Sequence, residues 1–414
     1  MHMEKRIGIL TGGGDAPGQN VCLKSIVYRA IDRGYAVLGF RKGWEGLLHY
    51  NPQDSQSYAE NILNLTRVRA RDIDRMPGAY LHSTRINPAQ TPSDCMPAFL
   101  GAAAATPTDL TPHIKATIEA LGLEALIVMG DSETLAYAAH LADDGVPVIG
   151  IPKSVHNDVN GSDYSLGFST ALGRGVRFIH EMRAMAASRE EVAVVEVVGR
   201  TTGLTTMLIS VLAGADRILI PEVPFDPQRL APLLLDDKRS NSSNYAILTV
   251  AQATRVVPEQ MRTYLPELTR LANSRTLAEA IAVGERERIE DEILADIATI
   301  GNRSQHVTGS GAVITEILEN ITGQRMLFQP LSYLIRSGDP DGQDLLGAMN
   351  FAALTMKLVL GRQYGRVVCY RQRENYVDMP LDIVTQHAGN INVADFYDAE
   401  TFTARPDIIW AARV

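Results

Sequence analysis

At 414 residues the chain exceeds one ordinary hydrophobic core, which predicts two or three domains and a cleft between them. Hydrophobic residues at 45% and charged residues at 21% are ordinary for a soluble globular protein, and no run approaches the roughly 20 apolar residues of a membrane span. The balance of 39 basic and 48 acidic residues, net −9, gives no general field for nucleic acid or anionic lipid, so an anionic ligand has to be held by a local arrangement.

RIGIL at 6–10 is a short apolar run that ends at TGGGDAPGQN; VCLKSIVYRAIDRGY then has helical spacing and YAVLGF returns to strand character. The same alternation recurs in EALIVMG, DSETLAYAAHLADDG and PVIGIPK, and again in VAVVEVVG, a helix and RILIPEV. Repeated β-α-β units predict parallel sheets covered by helices, with ligands at the C-terminal ends of the strands. From about Asp226 to Gln305 the pattern turns to helices rich in Leu, Arg and Glu, read as a helical elaboration with a solvated or subunit-contacting surface. Cys22, Cys95 and Cys369 form no CxxC pair, and the N-terminus has no basic-plus-apolar leader, which points to a reducing cytoplasm. The nine histidines and three cysteines show no metal-cluster spacing, and aromatics at 6% with no basic patch argue against a nucleic-acid partner.

TGGGDAPGQN lies between a strand and a helix, where glycines let backbone N–H groups approach an anion and the helix dipole adds to the attraction. It lacks the Lys-Ser/Thr pair of a Walker loop and the GxGxxG spacing of a dinucleotide fold. With KGWEGLL at 42–48, STRINP at 83–88, PKSVHND at 152–158, VVEVVGR at 194–200 and IPEVPFD at 220–226, the loop resembles the phosphofructokinase family in order and spacing, in particular its branch with GGGD-type loops that includes pyrophosphate-dependent members.

The resemblance implies an α/β fold of two Rossmann-like domains with a helical insertion. Residues 1–166 with 337–388 would bind the phosphoryl donor. Residues 167–336 with 389–414 would bind the sugar and contain the helical elaboration at about 226–305. It also implies a homo-oligomer, a sugar or sugar phosphate as acceptor, pyrophosphate or ATP as donor, and Mg²⁺. Gly13, Gly14, Asp15 and Asn20 match the family's donor loop. Arg85 matches the arginine that bridges the transferring group, Arg200 that of the family's MGR turn, and Glu222 the glutamate that holds sugar hydroxyls. Ser154, Tyr333 and Arg336 fall on acceptor-site positions, and Lys153 matches a lysine of pyrophosphate-using relatives. Guanidinium groups suit such a site because phosphoryl transfer is mainly positioning and stabilisation of spread negative charge.

Three departures stand against this set. Aligning MGDSETL without a gap puts Ser132 in place of the family's metal-binding carboxylate and Glu133 where glycine admits ATP and aspartate favours pyrophosphate; a one-residue gap instead gives Asp131 the metal role. His156 stands where the family has its catalytic aspartate, either as a substitute base or as the filler of a retired site. Asp158 would orient it or bind metal. The arginines that grip a sugar 6-phosphate map to Glu191 and Leu327, while Arg189 and Arg325, each two residues earlier, would share a strand face with them and compensate in part. Two functions follow: a phosphotransferase using pyrophosphate in preference to ATP with weak fructose 6-phosphate activity, or a non-catalytic paralogue that binds ligand and regulates.

Overall fold

The computed structural model describes residues 5–101, 107–200, 202–257, 260, 310–386 and 391–405. The chain divides into two compact units, Met1–Ala171 with Arg336–Gly389 and Leu172–Ile335 with Asn390–Ala412. In chain order the strands are β1 Lys5–Thr11, β2 Tyr35–Phe40, β3 Ile62–Leu65, β4 Leu123–Gly130, β5 Val148–Pro152, β6 Val192–Val197, β7 Arg217–Leu219, β8 Ala246–Ala251, β9 Met326–Pro330, β10 Arg366–Arg371 and β11 Asn375–Pro380.

The first unit is built on a seven-stranded sheet in the order β11-β10-β5-β4-β1-β2-β3. Its central strands run parallel, and antiparallel β11 and β3 close the edges. Parallel strands are covered on both faces. That is why IGILT in β1 and ALIVMG in β4 are continuous buried runs rather than alternating ones. On one face Leu10, Phe40, Val128, Leu135 and Leu141 pack into a core where Trp44 meets Tyr137 edge-on at 4.8 Å. Each such fully buried side chain contributes about 1.5–3 kcal/mol. β1 passes to β2 on one side and β4 to β5 on the other, so the sheet reverses direction between the C-terminal ends of β1 and β4. Open α/β sheets hold their ligands at such a point.

The helix Gly342–Leu360 completes this end of the unit. Asp341 caps it, and the buried Asp344 carboxylate accepts hydrogen bonds from the Tyr164 hydroxyl, from Gly167 N–H at 2.7 Å and from Thr170 N–H at 2.9 Å. One carboxylate thus fixes the chain that leaves the 152–158 turn.

The second unit has an all-parallel four-stranded sheet, β7-β8-β6-β9. Here the structure departs from the sequence reading of 226–305. Pro227–Ser240 is a helix capped by Asp226, but β8 follows and lies inside the sheet with all six residues buried. A six-residue apolar run bounded by Asn and Ser cannot be told from a buried helical segment by periodicity alone. Residues 261–305 of that proposed elaboration lie outside the described residues. Arg189 also differs from expectation: it ends the helix Phe168–Arg189 and is not part of a strand, and Arg325 precedes β9. The shared strand face on which compensation rested is therefore absent. Among the described residues no helix is long and apolar enough to cross a membrane.

Candidate functional site

β1 ends at Thr11 and delivers Gly12–Asp15 to the point where the sheet order reverses. Gly12 N–H bonds to Met129 O at 2.9 Å and Gly13 N–H to Thr84 O at 3.0 Å, which ties the loop to β4 on one side and to the STR segment on the other. Gly13 has φ 75°, and a Cβ there would collide with the Asp131 carboxylate. A Cβ on Gly14 would stand 2.5 Å from Arg336 Nη1 and 3.5 Å from Arg85 Nη2. A side chain is excluded at Gly13 by its backbone and the carboxylate, and one at Gly14 would have to push the Arg336 tip aside.

Asp131 is the N-cap of the helix Ser132–Asp143, its Oδ1 accepting from Thr134 Oγ1 at 2.7 Å and Thr134 N–H at 3.2 Å. Oδ2 lies 3.8 Å from Arg85 Nη1. Burial opposes ionisation of this carboxyl, yet Lys153, the Thr134 hydroxyl and Arg85 together hold it below the usual carboxylate range. Glu133, one residue into the helix, is 71% exposed and lies 3.6 Å from Arg85 Nη1. Asp131 is thus the carboxylate that faces the Gly loop, and Ser132 is half-buried beside it.

Lys153, at the end of β5, is wholly buried and donates from Nζ to Gly12 O and Gly14 O, each at 2.6 Å. Burial pushes its pKa down to about 8, with Asp131 and Asp15 acting in the opposite direction. In the turn that follows, the Ser154 hydroxyl donates to Asp158 Oδ1 at 2.6 Å and accepts from His156 N–H at 3.1 Å. Asp158 therefore orders the backbone of the turn through Ser154; removal from water raises its pKa while the Ser154 bond opposes. The His156 ring is buried, with Nε2 2.9 Å from Arg336 Nη2. Arg336 groups with the first unit, one residue away from where the sequence reading placed it; burial lowers its pKa, as does the neighbouring Arg85.

Asn20 does not turn towards this cluster. Its amide donates to Met76 O and Gly78 O, each at 2.9 Å, and its oxygen accepts from Tyr80 N–H at 3.0 Å. The segment it pins lines, with Asp15, Arg41 and His82, an open cleft of about 760 Å³. Sequence reasoning missed this cleft, whose only signal was the run MPGAYLHS immediately before Thr84 and Arg85.

The remaining predicted residues lie in the second unit. Arg200 is exposed just past β6. The Glu222 carboxylate accepts Gly203 N–H with both oxygens, at 2.9 and 3.1 Å, at the start of the helix Leu204–Ala213. Tyr333 is 71% exposed. Glu191 lies 4.0 Å from Arg189, and Leu327 is half-buried in β9.

A family model described as phosphofructokinase matches residues 6–359. The chain belongs to the phosphofructokinase family. It is 30% identical over 393 residues to an ATP-dependent 6-phosphofructokinase of Chloroflexus aurantiacus, covering 94% of this chain and 93% of that one. It is 28% identical over 399 residues to a pyrophosphate–fructose 6-phosphate 1-phosphotransferase of Streptomyces coelicolor, covering 96% and 99%. Among solved structures, a pyrophosphate-dependent phosphofructokinase of Marinobacter aquaeolei superposes with TM-score 0.69 at 15% identity, covering 97% of this chain and 89% of the other. That likeness fixes the phosphofructokinase fold. Relatives of both donor classes match equally well, so donor choice has to be argued from the site.

A magnesium ion in such a site is held by one or two carboxylates together with substrate phosphates. Among the described residues no three His, Cys, Asp or Glu side chains gather as a metal cage. Asp131 and Asp158, the charge of the first helping burial to raise the pKa of the second, fit the one-or-two-carboxylate arrangement.

Proposed function

We propose that this chain is a phosphotransferase that moves a phosphoryl group from pyrophosphate to a sugar hydroxyl, and that fructose 6-phosphate is a poor acceptor. The observation that carries the reading is the convergence of three cations, Lys153, Arg85 and Arg336, on the Gly12–Gly14 turn. A buried ammonium behind a Gly-rich turn, with a half-buried and an exposed guanidinium in front of it, makes a site for a compact polyanion. Glu133 beside Arg85 argues for pyrophosphate over ATP, because a nucleotide's further phosphate would meet that carboxylate. Bound Mg²⁺, held by Asp131 and Asp158, would neutralise phosphate charge.

In the step itself the acceptor oxygen bonds to phosphorus as the bridging P–O bond breaks. Orthophosphate leaves, and the acceptor's proton passes to His156 Nε2. A general base of this kind contributes about 10²–10⁴-fold. On the acceptor side Glu191 faces Arg189, and Leu327 supplies no charge. Each charge-assisted hydrogen bond lost there costs about 1.5–3 kcal/mol, which supports weak use of a sugar phosphate.

The test is phosphorus NMR of the full chain with Mg²⁺, pyrophosphate or ATP, and a panel of sugars and sugar phosphates. A phosphate ester formed from pyrophosphate and not from ATP is expected, with fructose 6-phosphate turned over poorly. Transfer from ATP, or efficient turnover of fructose 6-phosphate, overturns the reading. Pyrophosphate binding without transfer to any acceptor favours the non-catalytic, ligand-binding alternative.

A further inference from the structure

The Arg336–His156 contact has one chemically consistent form. Guanidinium carries only donors, so in the 2.9 Å contact Nε2 of His156 is the acceptor, and a neutral ring then bears its proton on Nδ1. The Nε2 lone pair that would take a hydroxyl proton is therefore already engaged by Arg336. The same guanidinium presses on the donor loop, since Nη1 stands 2.5 Å from where a Cβ of Gly14 would be. One half-buried side chain links the Gly loop to the candidate base.

We propose that Arg336 is a positioning residue that latches His156, and that a phosphate-class anion on the Gly12–Gly14 turn draws Arg336 away and releases Nε2. The half-buried guanidinium feels the charges of Asp15, Asp131 and Asp158 and of Arg85. A phosphate offers the planar guanidinium fork two acceptor oxygens, which a single imidazole nitrogen cannot match. The base then stays masked until the anion is seated, so a sugar hydroxyl is not deprotonated in an empty site. The identity of the opening anion rests on the phosphotransferase reading; the latch itself does not.

The test uses the full chain with ¹⁵N-labelled histidine rings at one fixed pH. The His156 signals are those missing from His156→Gln. In the unliganded protein the Nδ1–H form with a hydrogen-bonded Nε2 is expected. Arg336→Met should move the Nε2 signal downfield. Gly14→Ala, whose new methyl displaces the Arg336 tip without altering either partner, should do the same. Inorganic pyrophosphate and, separately, fructose 6-phosphate are then titrated. The anion that opens the latch shifts Nε2 in the wild type as the variants do and leaves Arg336→Met unmoved, which also tells donor from acceptor phosphate. Identical unliganded spectra for wild type and both variants overturn the latch. Millimolar amounts of both anions without any shift overturn the opening. A latch shown by the variants in a protein that transfers no phosphoryl group removes the transferase reading alone.

Discussion

In the first unit the ends of β1, β4 and β5 are bound together by buried polar contacts: Lys153 holds two loop carbonyls, Asp131 caps a helix against Gly13, and Ser154 joins Asp158 to the His156 backbone. In the second unit the predicted acceptor residues point elsewhere. Glu222 caps Gly203, Tyr333 lies in the open, and Glu191 faces Arg189 near the surface. In a low-dielectric interior a satisfied network is rigid, and an unpaired member is costly. The proposed donor side is thus held in shape by its own polar contacts. The proposed acceptor residues take part in a helix cap or lie near the surface, so their replacement should cost the fold little.

The sharpest way to break this contrast is to remove Lys153. At pH 7 the ammonium, with its pKa near 8, is mostly charged, and Lys153→Met leaves Gly12 O and Gly14 O without this donor and takes from Asp131 one of its two neighbouring cations. Removing one member of a buried charged pair costs about 3–5 kcal/mol. Urea unfolding should show a loss of that size, and calorimetry should show pyrophosphate binding abolished. A variant as stable as wild type would mean that the loop needs no internal cation.

A second test asks whether the second unit holds a comparable buried charged group. Glu196 in β6 is buried and accepts from Gly311 N–H at 2.9 Å with Oε2, while among the described residues its Oε1 meets no donor in hydrogen-bonding geometry. Burial pushes its pKa from 4.5 to about 7, against the Gly311 and Gln252 contacts. The folded state therefore binds more protons than the unfolded state between pH 4.5 and 7, so stability falls as pH rises through that window. The full effect is about 3 kcal/mol. Glu196→Gln, which mimics the protonated form, should lack this slope, and the gap between the two proteins should open in its favour towards pH 7. Parallel stability profiles would show that Glu196 finds a partner for its charge.

The sheets were legible because their strands are buried on both faces. IGILT and ALIVMG read as nearly unbroken apolar runs, the first leading into Gly12 and the second ending at Gly130, and Gly turns after such runs point to the strand ends. β8 escaped because AILTVA is short and sits among helical patterns, where period alone does not decide. Within the site, Asp131, Arg85 and Lys153 were found as residue types. Their contacts were not: that Lys153 turns back to the Gly loop depends on a bond between positions 141 residues apart. The pairing of Arg336 with His156 spans 180 residues and leaves no local trace. Glu222 matched the family's sugar-holding glutamate, yet a carboxylate three residues past a strand serves equally well as a helix cap, and sequence cannot separate the two.

The smallest effect is expected at Tyr333, and its smallness makes it informative. An exposed side chain away from caps and buried networks changes stability by no more than about 0.5 kcal/mol when replaced, so Tyr333→Ala should unfold at the wild-type denaturant midpoint. Any kinetic change is then a statement about the acceptor and not about the fold. If Tyr333 holds the acceptor, its KM should rise while that of pyrophosphate stays fixed. Tyr333→Phe should separate the hydroxyl from the ring: one lost hydrogen bond of about 0.5–1.5 kcal/mol raises acceptor KM up to roughly tenfold. Unchanged acceptor KM in both variants would remove Tyr333 from the site. A rise in pyrophosphate KM instead would move it to the donor side and undo the division of labour between the two units.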